Sequence, residues 1–173
     1  MQVRYDPAAD RILWHVRTQA GEMFSAWLTR RMFSQIWRPF QNLVGQSSLA
    51  QMPKSASLVP EAHEMLAQTA RARPLPGADF KAPFNPQATA QPLGPEPMLP
   101  IAADMGPRAD GPGMALRLRD EQGRSLSVQL TGDMCTALSR LLEKALVDAD
   151  WGLSVTAPPA AAPAEQQAPR LLN

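Results

Sequence analysis

The chain carries an internal duplication, and this feature limits the folds open to it more than any other. GEMFSAWLTRRM begins at Gly21 and GRSLSVQLTGDM begins at Gly123. Aligning the two glycines places residues 11–44 opposite residues 113–146 without a gap. The seven identical pairs are Arg17/Arg119, Gly21/Gly123, Ser25/Ser127, Leu28/Leu130, Thr29/Thr131, Met32/Met134 and Arg38/Arg140. A chain that repeats a segment in this way is expected to build one structural unit twice.

Each copy begins with alternating apolar and polar residues, a pattern typical of a strand with one buried face. The alternating apolar positions are Ile12, Trp14 and Val16 in the first copy and Met114, Leu116 and Leu118 in the second. A turn with Gly21 or Gly123 follows, since glycine readily adopts the positive φ of tight turns. Alternation resumes in the same phase at Phe24, Ala26 and Leu28, and at Leu126, Val128 and Leu130. Each copy therefore predicts a β-hairpin.

A helix is predicted behind each hairpin. Thr29 and Thr131 stand where a hydroxyl can accept an early helical N–H, and the apolar period then changes to 3.6. The apolar positions are Met32, Phe33, Ile36, Phe40 and Leu43 in the first copy and Met134, Leu138, Leu141, Leu142 and Ala145 in the second. Because proline lacks an N–H, we expect Pro39 to kink or shorten the first helix.

A leading strand is also predicted before each hairpin, over residues 2–6 and about 101–108. The repeated unit is then βββα, and one copy alone has too little apolar surface for a core. Two copies predict an α+β fold, with an antiparallel sheet of about six strands and both helices on one face. Exchange of halves between two chains is an alternative, because a long segment joins the copies.

Prolines separate the predicted folded parts from the rest of the chain. Twelve of the 18 prolines lie between Pro53 and Pro112, and four lie in the last sixteen residues. Such stretches do not sustain regular helix or sheet. The expected segments are a first βββα repeat (1–45), a Pro-rich linker (46–97) with one short helix at about 58–72, a second βββα repeat (98–153) and a disordered Ala/Pro-rich tail (154–173).

Charge and cysteine content argue against several classes of protein. The net charge of +1 does not favour non-specific attraction to nucleic acid or to anionic lipid. Cys135 is the single cysteine, which excludes an internal disulfide and a Cys-based zinc site. The N-terminal residues lack the apolar core of a secretory signal, and no apolar run reaches membrane-spanning length. A cytoplasmic location without membrane contact is therefore expected.

Side chains suited to catalysis are few. His63 lies in AHEML, which begins like the HExxH metalloprotease motif, but Ala67 stands where the second histidine is needed. Cys135 flanks the apolar stripe of the second predicted helix, which favours a packing role over a nucleophilic one. The sequence contains no phosphate-binding glycine motif and no GxSxG motif. We therefore expect no enzyme activity, no metal, no cofactor and no small-molecule substrate.

The strand face opposite the helices offers a candidate contact surface. Its predicted members are Arg11, Leu13, His15, Arg17, Met23 and Trp27 in the first copy and Arg117 and Arg119 in the second. Trp27 stands out because the second copy has Gln129 at the same position. A large aromatic side chain beside Leu13 and Met23 on an uncovered face indicates a contact, since exposed apolar patches usually mark binding sites.

Two functions fit this face. Binding of a protein partner, or self-association, suits a mixture of Trp, Met, Leu and Arg, which resembles the composition of interface cores. Binding of a single-stranded nucleic acid is the alternative, with Trp27 stacked on a base and arginines on phosphates. The linker could instead cover the face with Phe80 and Phe84. Because the charge is near neutral, the sequence predicts a small protein-interaction or adaptor protein ahead of a nucleic-acid binder.

Overall fold

The repeated pattern folds as two βββα units in the computed structural model, which describes residues 1–51 and 87–153, together with Thr69 and Leu75. The elements are β1 (Gln2–Asp6), β2 (Arg11–Arg17), β3 (Met23–Thr29), α1 (Arg30–Ala50), β4 (Pro100–Pro107), β5 (Gly113–Asp120), β6 (Ser125–Thr131) and α2 (Gly132–Ala149). We call β1–α1 unit 1 and β4–α2 unit 2. The predicted α+β fold is confirmed. Apart from Thr69, the predicted linker helix lies outside the described residues, as does the tail (154–173).

The local signals in the sequence set the boundaries of these elements. The Thr29 side chain accepts a hydrogen bond from the Met32 N–H at 3.2 Å and so caps α1. Thr131 caps α2 in the same way, through the Met134 N–H at 3.4 Å. Gly21 turns the first hairpin with φ +86°, a conformation that side chains disfavour. Both N-cap predictions are therefore confirmed.

The six strands form two separate sheets rather than the single continuous sheet that the duplication suggested. Sheet 1 has the order β1-β2-β3 and sheet 2 the order β4-β5-β6, and all neighbouring strands are antiparallel. The inner face of each sheet carries the alternating apolar residues. Trp14, for example, lies between Val3 and Ala26 in register, and Leu116 lies between Met105 and Val128. Each unit thus contributes one sheet.

The sheets stay separate because the outer edge of β3 is occupied by another part of the chain. Residues 89–98 reach this edge at two points in parallel orientation. The Met23 N–H donates to the Ala90 carbonyl at 2.9 Å, and the Trp27 N–H donates to the Met98 carbonyl at 2.8 Å. The Met98 N–H donates to the Ser25 carbonyl at 2.9 Å. The chain then leaves β3 and enters β4, so β3 has no edge left for a strand of unit 2.

The turn between β5 and β6 holds the loop within residues 89–98 in place. Arg124 donates from Nε to the Asp120 carboxylate at 2.7 Å, and from Nη1 to the carbonyls of Leu93 and Glu96 at 3.0 and 3.2 Å. Burial alone would raise the pKa of Asp120, but the hydrogen bonds and charge of Arg124 lower it below its ordinary value. Asp120 and Arg124 therefore have a structural role.

One hydrophobic core is shared by both units. It is built from β2, β3, β5, β6 and both helices, together with Met98 and Trp151. α1 packs more extensively on β4 and β5 of unit 2 than on its own β3, whereas α2 contacts β1 and β2 of unit 1 as well as its own sheet. The two helices also contact one another. Because the units share their helices in this way, neither has a complete core of its own.

The expected shortening of the first helix at Pro39 does not occur, because α1 continues to Ala50. A proline inside a helix costs about 3 kcal/mol, since one backbone hydrogen bond is lost. Packing of the apolar side chains around Pro39 offsets this cost. Trp37 and Phe40 stack with ring centroids 5.8 Å apart, and both are buried. Val44, one turn further along, is 1% exposed. Core packing beyond Pro39 thus keeps the helix intact.

Candidate interaction surface

The candidate surface is the face of sheet 1 that points away from the core, which we call the outer face of sheet 1. Strand alternation and the observed register place eleven residues there. They are Gln2, Arg4, Asp6, Arg11, Leu13, His15, Arg17, Met23, Ser25, Trp27 and Thr29. Six of these were predicted as contact residues from the sequence, and sheet 1 brings all six together. The other five are Gln2, Arg4, Asp6, Ser25 and Thr29.

Leu13 occupies the centre of this face but is not available for contact. It lies in register between Arg4 on β1 and Trp27 on β3, and it is only 4% exposed. The expectation that Leu13 is displayed is therefore wrong. Trp27 itself is half-buried, and its backbone is fixed by the hydrogen bond from its N–H to Met98. The strand that carries the Trp27 ring, β3, is thus paired with β2 on one side and hydrogen-bonded to Met98 on the other.

His15 is hydrogen-bonded across the sheet to β3. Its Nδ1 lies 2.8 Å from the Ser25 hydroxyl oxygen, and the ring is half-buried. Burial, and secondly the positive charge of Arg4, lower the pKa of His15 below its ordinary value of 6.5. The ring is therefore neutral at pH 7, and it adds no charge to the outer face of sheet 1.

Arginines give this face its charge. Arg4 and Arg17 are exposed and Arg11 is half-buried, and none of the three forms an ion pair in the described part of the chain. Asp6, opposite Arg11 in register, is the single acidic residue on this face. An arginine without a carboxylate partner keeps its planar donors free for a carboxylate or phosphate. The outer face of sheet 1 therefore has an excess of positive charge and also carries the half-buried Trp27.

The two other predicted contact residues, Arg117 and Arg119, lie on sheet 2 and do not extend this face. They stand on β5, and both already have partners. Arg119 forms an ion pair with Asp104 at 3.0 Å, and Arg117 Nε donates to the Ser125 hydroxyl at 3.1 Å. The predicted eight-residue surface across one continuous sheet is thus divided, because the strands separate into two sheets.

Side chains that could hold a metal ion do not gather in the described ranges. Cys135 is fully buried, and burial raises the pKa of its thiol to about 11, which keeps it protonated. No cluster of three or more His, Cys, Asp or Glu side chains occurs among residues 1–51 and 87–153. In the same ranges no helix has both the length and the apolarity to cross a membrane. His63, Phe80 and Phe84 lie outside the described residues.

Trp37 and Trp151 are buried in the shared core. Both pack against Phe33, with ring centroids 5.2 and 6.0 Å away. This leaves Trp27 as the tryptophan nearest to solvent. Sequence reasoning missed Arg4, whose signal was its alternation with Val3 and Tyr5 on β1, both of which pack on the core.

Comparison of the whole chain with known protein families, with curated proteins and with solved structures gave no match.

Proposed function

We propose that this protein is a non-enzymatic interaction protein that binds an acidic segment of a protein partner through the outer face of sheet 1. The observation that supports this best is that three arginines share this face with Trp27 and form no ion pair within the described part of the chain. Trp and Arg are the residues most enriched among those that dominate binding energy. An acidic partner with an apolar residue would satisfy both the guanidinium donors and the half-buried ring.

Rigidity of the face supports the same proposal. Strand pairing on both sides fixes β2, and backbone hydrogen bonds from Met98 fix β3. A preformed surface loses little conformational entropy on binding, so more of the contact energy appears as affinity.

Single-stranded nucleic acid is the second candidate, and a specific observation favours it. The same face combines a tryptophan ring with Arg4 and Arg17, and phosphates and bases would use these groups as a carboxylate-bearing peptide would. The small net charge of +1, and the fact that the described residues place one aromatic ring on this face, rank nucleic acid second.

The test is a fluorescence-anisotropy titration with two labelled probes, an oligoglutamate peptide containing one leucine and an oligothymidylate. We expect the peptide to bind and Arg17→Glu to weaken it at least about tenfold, since like charges at an interface are strongly unfavourable. Arg119→Glu is the matched control, because it makes the same charge change on sheet 2, and it should leave binding nearly unchanged. Trp27→Ala should weaken binding as Arg17→Glu does.

The other outcomes are equally decisive. Tighter binding of the oligothymidylate, with affinity that falls steeply with salt, would favour the nucleic-acid function. Binding of neither probe, or equal effects of Arg17→Glu and Arg119→Glu, would show that the outer face of sheet 1 is not the binding surface.

A further inference from the structure

The duplication makes the outer edge of β6 the counterpart of the outer edge of β3, but the two edges differ in occupancy. On β3 the edge is filled by the chain itself, since backbone groups of Met23, Ser25 and Trp27 bond to Ala90 and Met98. The residues of β6 that correspond to these three in the repeat, 102 positions later in the chain, are Ser125, Ser127 and Gln129. No backbone partner for these three residues on that side occurs in the part of the chain that the structure describes.

The hydrogen bond beside the β5–β6 turn shows which backbone groups of β6 point toward β5 and which point away from the sheet. The Asp120 N–H donates to the Arg124 carbonyl at 3.2 Å, which shows that even-numbered residues of this strand turn their polar groups toward β5. Because these groups alternate along an antiparallel strand, Ser125, Ser127 and Gln129 turn their N–H and C=O groups away from the sheet. Ser127 and Gln129 are also exposed. With respect to the described residues, the edge is therefore open to a further strand.

The other sheet edges are protected by features that β6 lacks. β3 is covered by residues 89–98, β4 begins and ends with proline and has a register irregularity, and β1 carries Arg4 and Asp6. Proteins commonly block edge pairing with charges, prolines and bulges. β6, with the sequence SLSVQLT, has none of these over seven residues. β6 is therefore the edge strand whose sequence permits pairing with another strand.

We propose that β6 pairs with β6 of a second copy of this chain, antiparallel about a two-fold axis at Ser127. Residues with outward backbone groups must face one another, so this axis pairs Ser127 with its own copy and Ser125 with the partner's Gln129. All side chains brought together on the outer side are uncharged. On the inner side the same register sets Leu126 beside the partner's Val128.

Val128 is less buried than its counterpart in unit 1, which indicates that a covering group is missing beside it. Its counterpart in unit 1 is Ala26, which is 0% exposed and is bridged to Met98. Val128 packs against the core but is only half-buried. A second β6 would cover Val128 on the side where Met98 covers Ala26. The proposal is independent of the outer face of sheet 1, because no arginine of that face takes part.

The test is sedimentation equilibrium of the full chain from about 1 µM to about 500 µM, the range in which small interfaces associate. We expect a monomer–dimer equilibrium. Ser127→Lys and Ser127→Glu should each raise the dissociation constant about a hundredfold, because the axis sets each introduced charge opposite itself. Mixing the two variants should restore a heterodimer, since the introduced charges are then opposite in sign. Gln122→Lys, in the β5–β6 turn, is the matched control and should dimerise like the natural chain.

Amide hydrogen exchange supplies a second readout. The Ser127 and Gln129 N–H groups should exchange slowly at dimeric concentrations and rapidly in the Ser127→Lys variant. A monomer across the whole range would overturn the proposal, as would a dimer that both charged variants retain. A mixture of the two variants that stays monomeric would overturn the two-fold register.

Discussion

The indole Nε1 of Trp151 donates a hydrogen bond to Oδ1 of Asp10 at 2.8 Å, across 141 residues of chain. The same oxygen accepts from the Tyr5 hydroxyl at 2.9 Å. Hydrogen bonds from Trp151 and then from Tyr5 lower the pKa of Asp10 below its ordinary value of 3.8. The end of unit 2 is thereby fastened to the first turn of unit 1.

Replacement of Trp151 should show how much this connection stabilises the fold. Trp151→Phe keeps an aromatic ring but removes the donor, so we expect a lower denaturation midpoint. Trp151→Ala also removes the ring contacts with Tyr5 and Phe33 and should cost about 3–5 kcal/mol. The measurement is urea unfolding of each variant. The control is Tyr5→Phe, which removes the other donor to the same oxygen. Equal midpoints for Trp151→Phe and the natural chain would show that the bond contributes nothing.

Stability should fall as the pH drops below neutral, in part because of His15. Its folded-state pKa is lower than the ordinary value of 6.5, so protonation favours the unfolded chain. The contribution of His15 is therefore fully present above pH 6.5 and is lost as the pH falls toward and through the folded pKa. Urea unfolding between neutral pH and pH 5 should show this decline, and His15→Gln should reduce it.

Cys135 should be unreactive in the folded protein. It is fully buried, and its pKa is raised to about 11 by burial, so the reactive thiolate is scarce at pH 8. We expect an aromatic disulfide reagent to release no colour from the native protein within minutes and one equivalent after denaturation. Fast reaction of the native chain would contradict the packing of α2 against the core. Cys135→Ala should fold and cost roughly 1 kcal/mol, since little volume is lost.

Two neighbouring glycines give a matched test of the turn before β5. Gly111 has φ +124° and Gly113 has φ +142°, conformations that L side chains rarely adopt. A Cβ at Gly111 would meet open space, whereas a Cβ at Gly113 would collide with the Leu130 carbonyl of β6. Gly111→Ala should therefore cost about 1–3 kcal/mol from backbone strain alone, and Gly113→Ala at least about 4 kcal/mol.

Thermal unfolding of the two glycine variants provides the measurement. Similar melting temperatures would mean that the close contact between Gly113 and β6 is relieved without cost. A much lower melting temperature for Gly113→Ala would support the tight pairing of β5 with β6 on which the proposed dimer edge depends.

The sequence determined the local structure of this protein. Strand alternation, the glycine turns and the capping threonines are short-range signals, so the βββα order could be predicted, and β1 was placed at its observed bounds. The membership of the outer face also followed for β2 and β3, since side chains alternate with a period of two wherever the strand lies. That Arg4 and Arg17 form no ion pair with any described residue could not be derived in this way, because partners come from other parts of the chain.

Only the tertiary structure decided how these elements combine. The separation into two sheets depends on Met98, which reaches the edge of β3 from a distant part of the chain. Leu13 is buried and α1 continues past Pro39 because of side chains that the fold brings in from elsewhere. Edge pairing and burial are properties of surfaces that form only after the chain has folded. For this reason a local pattern fixes which face a residue occupies but leaves open what covers it.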